Sequence, residues 1–311
     1  MFGAKIDIIN NLNENIKKHT SYHNKNILVL GGAGIKGICF LGGIKRLEEL
    51  DIIKNIKIYA GTSVGGLIAS LLLIGYSADE LYKFVLEINI KKLTSIKLKN
   101  IISKFGLNDG KRFELVFKKL FTSKGVDVKI TFSELFKKTN KTLILTGTNL
   151  TGKSEYFSHL THPNMSVITC LRITTCIPII FAPILENNNY YVDGGVMDNF
   201  PIHLFNDRLD RVISFYVITN MSERESKIGT FKQKNHNFIK NLEDLLLNSK
   251  MCIDEGIDNR ILLNYKKNSI IIELSENISA VEFDISREQM IKLYTNGYET
   301  VYEYIESLSR F

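Results

Sequence analysis

Four apolar residues in a row, Ile27-Leu28-Val29-Leu30, lead directly into Gly31-Gly32-Ala33-Gly34-Ile35-Lys36-Gly37. This junction restricts the fold more than any other segment. A strand without polar alternation has both faces covered, as in an α/β sheet. The glycines give a turn, and Ile38, Leu41, Ile44, Leu47 and Leu50 then repeat at helical spacing over Gly37 to Leu50. The alternation continues along the chain. Strands are expected at Ile56–Ala60, Thr142–Gly147, Glu155–Ser158, Tyr190–Val192, Arg211–Ile218 and Ser269–Leu274. Helices are expected at Met165–Thr175, from about Ser286 to Ser307, and from Ala78 to about Ile90, the last opened by a Ser77/Glu80 capping box. The fold class is therefore α/β, with a central mainly parallel sheet flanked by helices and helical C-terminal decoration.

At 311 residues, 44% hydrophobic and 23% charged, the chain has enough apolar surface to form a core and is not a disordered segment. No internal repeat or Pro-rich linker divides it. One domain over 1–311 is expected, with a motif-bearing core at about 26–220 and a mainly helical part at about 235–311. Cys39, Cys170, Cys176 and Cys252 lack C-x-x-C spacing, which excludes zinc ribbons and redox motifs; they read as buried apolar residues in a reducing compartment. Met1 to Asn26 has no apolar signal region. The uncharged run Ile58–Ala78 is broken by glycines and reads as strand, turn and core helix rather than a membrane span. A cytoplasmic protein without a transmembrane helix is expected. The net charge of +7 includes an acid-free stretch in which Lys91, Lys92, Lys97, Lys99 and Lys104 interleave with Leu93, Ile96, Leu98, Ile101 and Ile102. That stretch is a candidate for peripheral contact with an anionic membrane. Its plain alternative is a helix with a solvated lysine face. No recognition motif accompanies the charge, so nucleic acid is not an expected partner.

Three motifs carry chemistry. In Gly32-x-Gly34-x-x-Gly37, between strand and helix, backbone amides converge on one point and favour negative charge. The pattern also fits a dinucleotide fingerprint, but the next strand ends in Ala60-Gly61-Thr62 without the acidic residue that would hold a ribose. The second, Gly61-Thr62-Ser63-Val64-Gly65, is a G-x-S-x-G sequence between a strand and an apolar helix, where a sharp turn lifts a serine hydroxyl from the sheet. The third, Asp193-Gly194-Gly195, is by itself a common turn. A serine usually needs a histidine base, and in the chain order Ser, Asp, His only His203 and His236 qualify. Neither lies in a distinctive loop.

In this order the three motifs resemble the patatin-like phospholipase family. Gly106 to Gly110, Thr131 to Leu135, Arg172 to Pro178 and Tyr191 to Pro201 extend the resemblance over roughly Ile27 to Pro201. Ala33 and Cys176 depart from the family pattern only by other small residues. The resemblance implies a three-layer fold and a lipid acyl hydrolase acting on phospholipid or lysophospholipid. It implies a Ser63 nucleophile with Asp193 as its base and no histidine, an oxyanion hole at Gly32, Ala33 and Gly34, and supporting roles for Gly37, Gly61, Gly65, Gly194 and Gly195. It implies no metal or other cofactor. The competing readings are a Ser-His-Asp esterase and a catalytically silent lipid- or nucleotide-binding protein.

Overall fold

The structure, a computed structural model, describes residues 24–89, 106–219, 263–275 and 284–308, with single positions at 93, 261 and 278. The first half opens with β1 (Ile27–Leu30), a 3-10 turn at Gly34–Gly37, α1 (Ile38–Glu49), β2 (Ile58–Gly61), α2 (Val64–Leu73) and α3 (Ala78–Glu87). After the basic stretch come β3 (Gly106–Asn108), α4 (Lys111–Ser123), α5 (Phe132–Thr139), β4 (Thr142–Asn149), β5 (Lys153–Phe157) and α6 (Val167–Thr174). The chain continues through β6 (Ile179–Phe181), β7 (Ile184–Glu186), β8 (Asn189–Asp193), β9 (Val212–Thr219), β10 (Ile270–Leu274) and α7 (Arg287–Leu308).

The main sheet has the order β10-β9-β1-β2-β4-β8-β7, with β5 also on β4; β3 and β6 form a separate pair. From β10 to β4 all neighbours are parallel, whereas β8, β7 and β5 join antiparallel. The apolar run in β1 now has its explanation. Leu28 and Leu30 enter the larger core beneath α1 and α2, and Ile27 and Val29 enter a second cluster with Phe200, Ile202 and Phe205. Strand β9 divides the same way, with Phe215 on one face and Tyr216 on the other. A central sheet covered on both faces is thus the observed architecture.

Strand β4 acts as the ruler of the molecule. Its first half pairs with β2, ending at Gly61 opposite Leu145; β8 takes over along the same edge, with Asp193 opposite Gly147. The opposite edge is occupied by β5. The ends of β2 and β8 are therefore held two residues apart along one strand.

Helix α3 opens on the expected capping box: Ser77 Oγ accepts from the Glu80 amide at 3.2 Å, and Glu80 accepts from the Ser77 amide at 2.8 Å. Lys91, Lys92, Lys97, Lys99 and Lys104 lie outside the described residues, as do His236 and Cys252. Among the described residues no helix is long and apolar enough to cross a membrane.

Helices α1 and α7 touch backbone to backbone. A Cβ on Gly42 would meet Tyr298 N at 2.9 Å, and one on Gly297 would meet Cys39 Cα at 2.9 Å. Neither neighbour is a flexible side chain. Gly42→Ala should therefore cost about 1–3 kcal/mol. The measurement is the denaturant midpoint at constant slope, and an unchanged midpoint would contradict this contact.

Candidate active site

Residue Ser63 sits where β2 turns into α2, with φ 54° and ψ −129°. A non-glycine residue in this region costs about 1–3 kcal/mol, so neighbouring bonds must hold it there. The Ser63 amide donates to Thr174 Oγ1 at 3.0 Å, and the Thr62 amide donates to the Leu30 carbonyl at 3.1 Å. Thr62 Oγ1 donates to the Asp198 carbonyl at 3.0 Å and accepts from Thr146 Oγ1 at 2.7 Å. Gly65 completes the turn. A Cβ there would run into the carbonyls of Gly31 and Leu30, so only glycine lets α2 start this close to β1.

The Ser63 hydroxyl donates to Asp193 Oδ2 at 2.6 Å. Both residues are buried, Ser63 with 8% and Asp193 with 5% of its surface exposed. The other carboxylate oxygen, Oδ1, accepts the Gly195 amide at 2.7 Å, and the Asp193 amide donates to the Cys176 carbonyl at 2.8 Å. Both carboxylate oxygens are thereby oriented. Such a pair can move a proton from hydroxyl to carboxylate over a short, water-shielded path.

The Gly-rich loop lies against the same serine. A Cβ on Gly32 would stand 3.4 Å from Ser63 Cβ and would collide with Asn199 Oδ1. Asn199 grips Gly32 at both ends of its residue. Its carbonyl accepts the Gly32 amide at 2.9 Å, and its Nδ2 donates to the Gly32 carbonyl at 3.2 Å and to the Tyr216 hydroxyl at 3.3 Å. The Gly32 amide is thus engaged. The amides of Ala33 and Gly34 precede the first turn bond, from Lys36 N to Ala33 O, and have no partner within the turn. The other glycines of the motifs are close-approach points: a Cβ would press Gly37 on Val64, Gly61 on the Gly65 backbone, Gly194 on Thr146 and Gly195 on Asn199.

Among the described residues no histidine is joined to this pair. The ring of His203 contacts the Tyr156 hydroxyl through Nε2 at 3.2 Å and Asp198 Oδ2 through Nδ1 at 3.7 Å. Tyr156 itself donates to that Asp198 oxygen at 2.9 Å. Among the described residues the thiols do not compete either. Cys39, Cys170 and Cys176 are buried and outside any disulfide, and burial pushes the Cys176 thiol up to about 12. Among the described residues no group of three or more His, Cys, Asp or Glu side chains could hold a metal ion.

Thr62, Thr146, Thr174 and Asn199 have no role in the sequence analysis. The only local signal is the turn chemistry of Asp198-Asn199-Phe200-Pro201, since a lone threonine in a strand or helix announces nothing. Arg172 has a related structural task. Its buried guanidinium donates to the carbonyls of Gly110 and, at 3.1 Å, Asp109, tying α6, which carries Thr174, to the β3–α4 corner.

A model of the Patatin-like phospholipase family matches residues 28–206, more than half of the chain. The chain belongs to that family. This patatin-like phospholipase is a carboxylic ester hydrolase acting on lipid acyl groups. It is 31% identical to uncharacterized protein R571 of Acanthamoeba polyphaga mimivirus over 95% of this chain and 98% of the relative. It is 35% identical to the protein named Probable lipid hydrolase 463L of Invertebrate iridescent virus 6, over 68% of this chain and 74% of the relative. Its fold matches the crystal structure of VipD from Legionella pneumophila with a TM-score of 0.57 at 19% identity, covering 91% of this chain and 67% of VipD.

If Asn199 holds the Gly-rich loop at its working distance from Ser63, Asn199→Ala will lower kcat/KM by roughly 10- to 100-fold. The loss should fall mainly on kcat. The unfolding midpoint should move by no more than the loss of two side-chain hydrogen bonds, about 1 kcal/mol each. Steady-state kinetics beside a melt would separate the two effects.

Proposed function

We propose that this enzyme is a phospholipase A or lysophospholipase in which Ser63 and Asp193 form a two-residue catalytic unit. The observation that carries the reading is the direct 2.6 Å hydrogen bond from Ser63 Oγ to Asp193 Oδ2, with His203 engaged elsewhere. Ser63 Oγ attacks the carbonyl carbon of the fatty acyl ester, and its proton passes to Asp193. The amides of Ala33 and Gly34, beside the clamped Gly32, donate to the oxygen that becomes negative in the tetrahedral intermediate. On collapse the carbon–oxygen bond to the glycerol breaks, and the leaving alkoxide takes the proton from Asp193. Water then attacks the acyl-serine, gives its proton to Asp193, and releases the fatty acid as the proton returns to Ser63.

An ordinary carboxylate, with a pKa of about 3.9, is a weak base toward a hydroxyl. Two features of the site compensate. The proton path is one short hydrogen bond, and the Gly195 amide fixes the carboxylate so that no reorientation precedes transfer.

Ser63→Ala and Asp193→Asn should each lower hydrolysis of dispersed phospholipid by roughly 10³-fold or more. His203→Ala should stay near the wild-type rate. A fluorophosphonate should label wild type at Ser63 and leave Ser63→Ala unlabelled. Full turnover by Asp193→Asn, or loss of turnover in His203→Ala, would replace the two-residue reading with a histidine-based one.

A further inference from the structure

The β7–β8 hairpin carries a feature that hydrolysis at Ser63 leaves unexplained. Its two strands are joined by Asn187-Asn188, both with positive φ (47° and 63°), the geometry of a tight type I′ turn. Tyr190 pairs with Leu185 across the hairpin, and the Leu150 amide donates to the Tyr190 carbonyl at 2.9 Å just past the end of β4. Leu150, Tyr190 and Leu185 are therefore in register across three adjacent segments. Partners directly opposite share a face of the sheet. All three are largely exposed, at 56%, 50% and 56%. The alternate residues face the other way: Tyr191 is buried in the main core, with Ile184 packed against it. The hairpin is thus pinned by one face and presents an uncharged apolar row on the other.

This row lies at the end of the sheet where the chemistry is. Strand β4 runs upward past the level of Asp193 to Leu150, so the hairpin tip extends beyond the ends of the parallel strands. Tyr190 and Asp193 are three residues apart on one strand, roughly 10 Å, so their side chains leave opposite faces of the sheet near the same end. Val196 and Met197, exposed at 43% and 46%, come three and four residues after Asp193.

We propose that the row Leu150, Tyr190 and Leu185 is the surface by which this enzyme docks on a zwitterionic lipid bilayer, bringing the end of the sheet that carries Ser63 to the lipid. The inference rests on the proposed reading of Ser63 and Asp193 as the site of phospholipid hydrolysis. A lipid surface suits the row better than a second copy of the chain. Three half-exposed side chains offer on the order of 300 Å², well short of the roughly 800 Å² per partner of a stable dimer. A bilayer accepts a small apolar wedge without such an area. The row is also uncharged, so its binding should not depend on anionic lipid.

The chain contains no tryptophan, so a single introduced one reports alone. The test uses full-length Ser63→Ala protein, which leaves lipid intact, carrying Tyr190→Trp or, in the segment before β10, the strand at the opposite edge of the sheet, Leu263→Trp (Leu263 is 85% exposed). With phosphatidylcholine vesicles, emission from the Tyr190→Trp protein should shift to the blue and be quenched by brominated acyl chains. Emission from the Leu263→Trp protein should not respond. Leu150→Ser and Leu185→Ser should each lower vesicle flotation by roughly tenfold. Unmoved emission from Tyr190→Trp protein that floats would overturn the proposal. So would binding that needs anionic lipid and is lost in high salt, which points to the lysines between 91 and 104. A lipid-free dimer that shifts the same emission, seen by light scattering, would also overturn it. Because no turnover is read, fluorophosphonate labelling of wild type in solution reports separately on Ser63: labelling without insertion refutes the docking surface alone, and insertion without labelling refutes the catalytic reading alone.

Discussion

The hydrogen bond between Ser63 and Asp193 joins two residues 130 positions apart in the chain, and its length is set by neither of them. It is set by β4. Because β2 and β8 share one edge of that strand, the ladder bonds fix where each must stop. A shift of one residue in either register would turn a side chain to the opposite face of the sheet and separate the pair. The site's geometry is therefore protected by the same backbone bonds that stabilise the sheet.

Around this pair the molecule spends stability on position. The left-handed backbone of Ser63 is unfavourable, and Thr174, Thr62 and the first turn of α2 hold it from three directions. Asn199 does the same for the Gly-rich loop and belongs to the segment that also covers the second face of the sheet through Phe200 and Ile202. Core and site are one construction here. Loosening the second cluster, around Phe200 and Ile202, would free Asn199, and with it the distance from Gly32 to Ser63.

The strands and motifs that stood out in the sequence are those whose physics is local. An apolar run buried on both faces, glycines at a strand-to-helix turn and a Ser77/Glu80 capping box each show in a few adjacent letters. The short strands β3, β6 and β7 do not, because three residues are too few for a period. The role of Asn199 is equally hidden: its partners Gly32 and Tyr216 are distant in sequence, and a long-range hydrogen bond leaves no spacing to read. Ala33 and Gly34 were legible as loop amides, whereas the engagement of the Gly32 amide required the fold. The family resemblance extended what was legible from three motifs to most of the residues between Ile27 and Pro201.

The contact between α1 and α7 has a consequence for the order of events during synthesis. Helix α1 begins at the Gly-rich loop, yet the backbone it rests on, around Tyr294 and Gly297, is translated about 250 residues later. Until that helix has left the ribosome, the far side of α1 lacks its companion and the loop at its start has a mobile base. A nascent chain already carrying all three motifs would thus be a poor hydrolase.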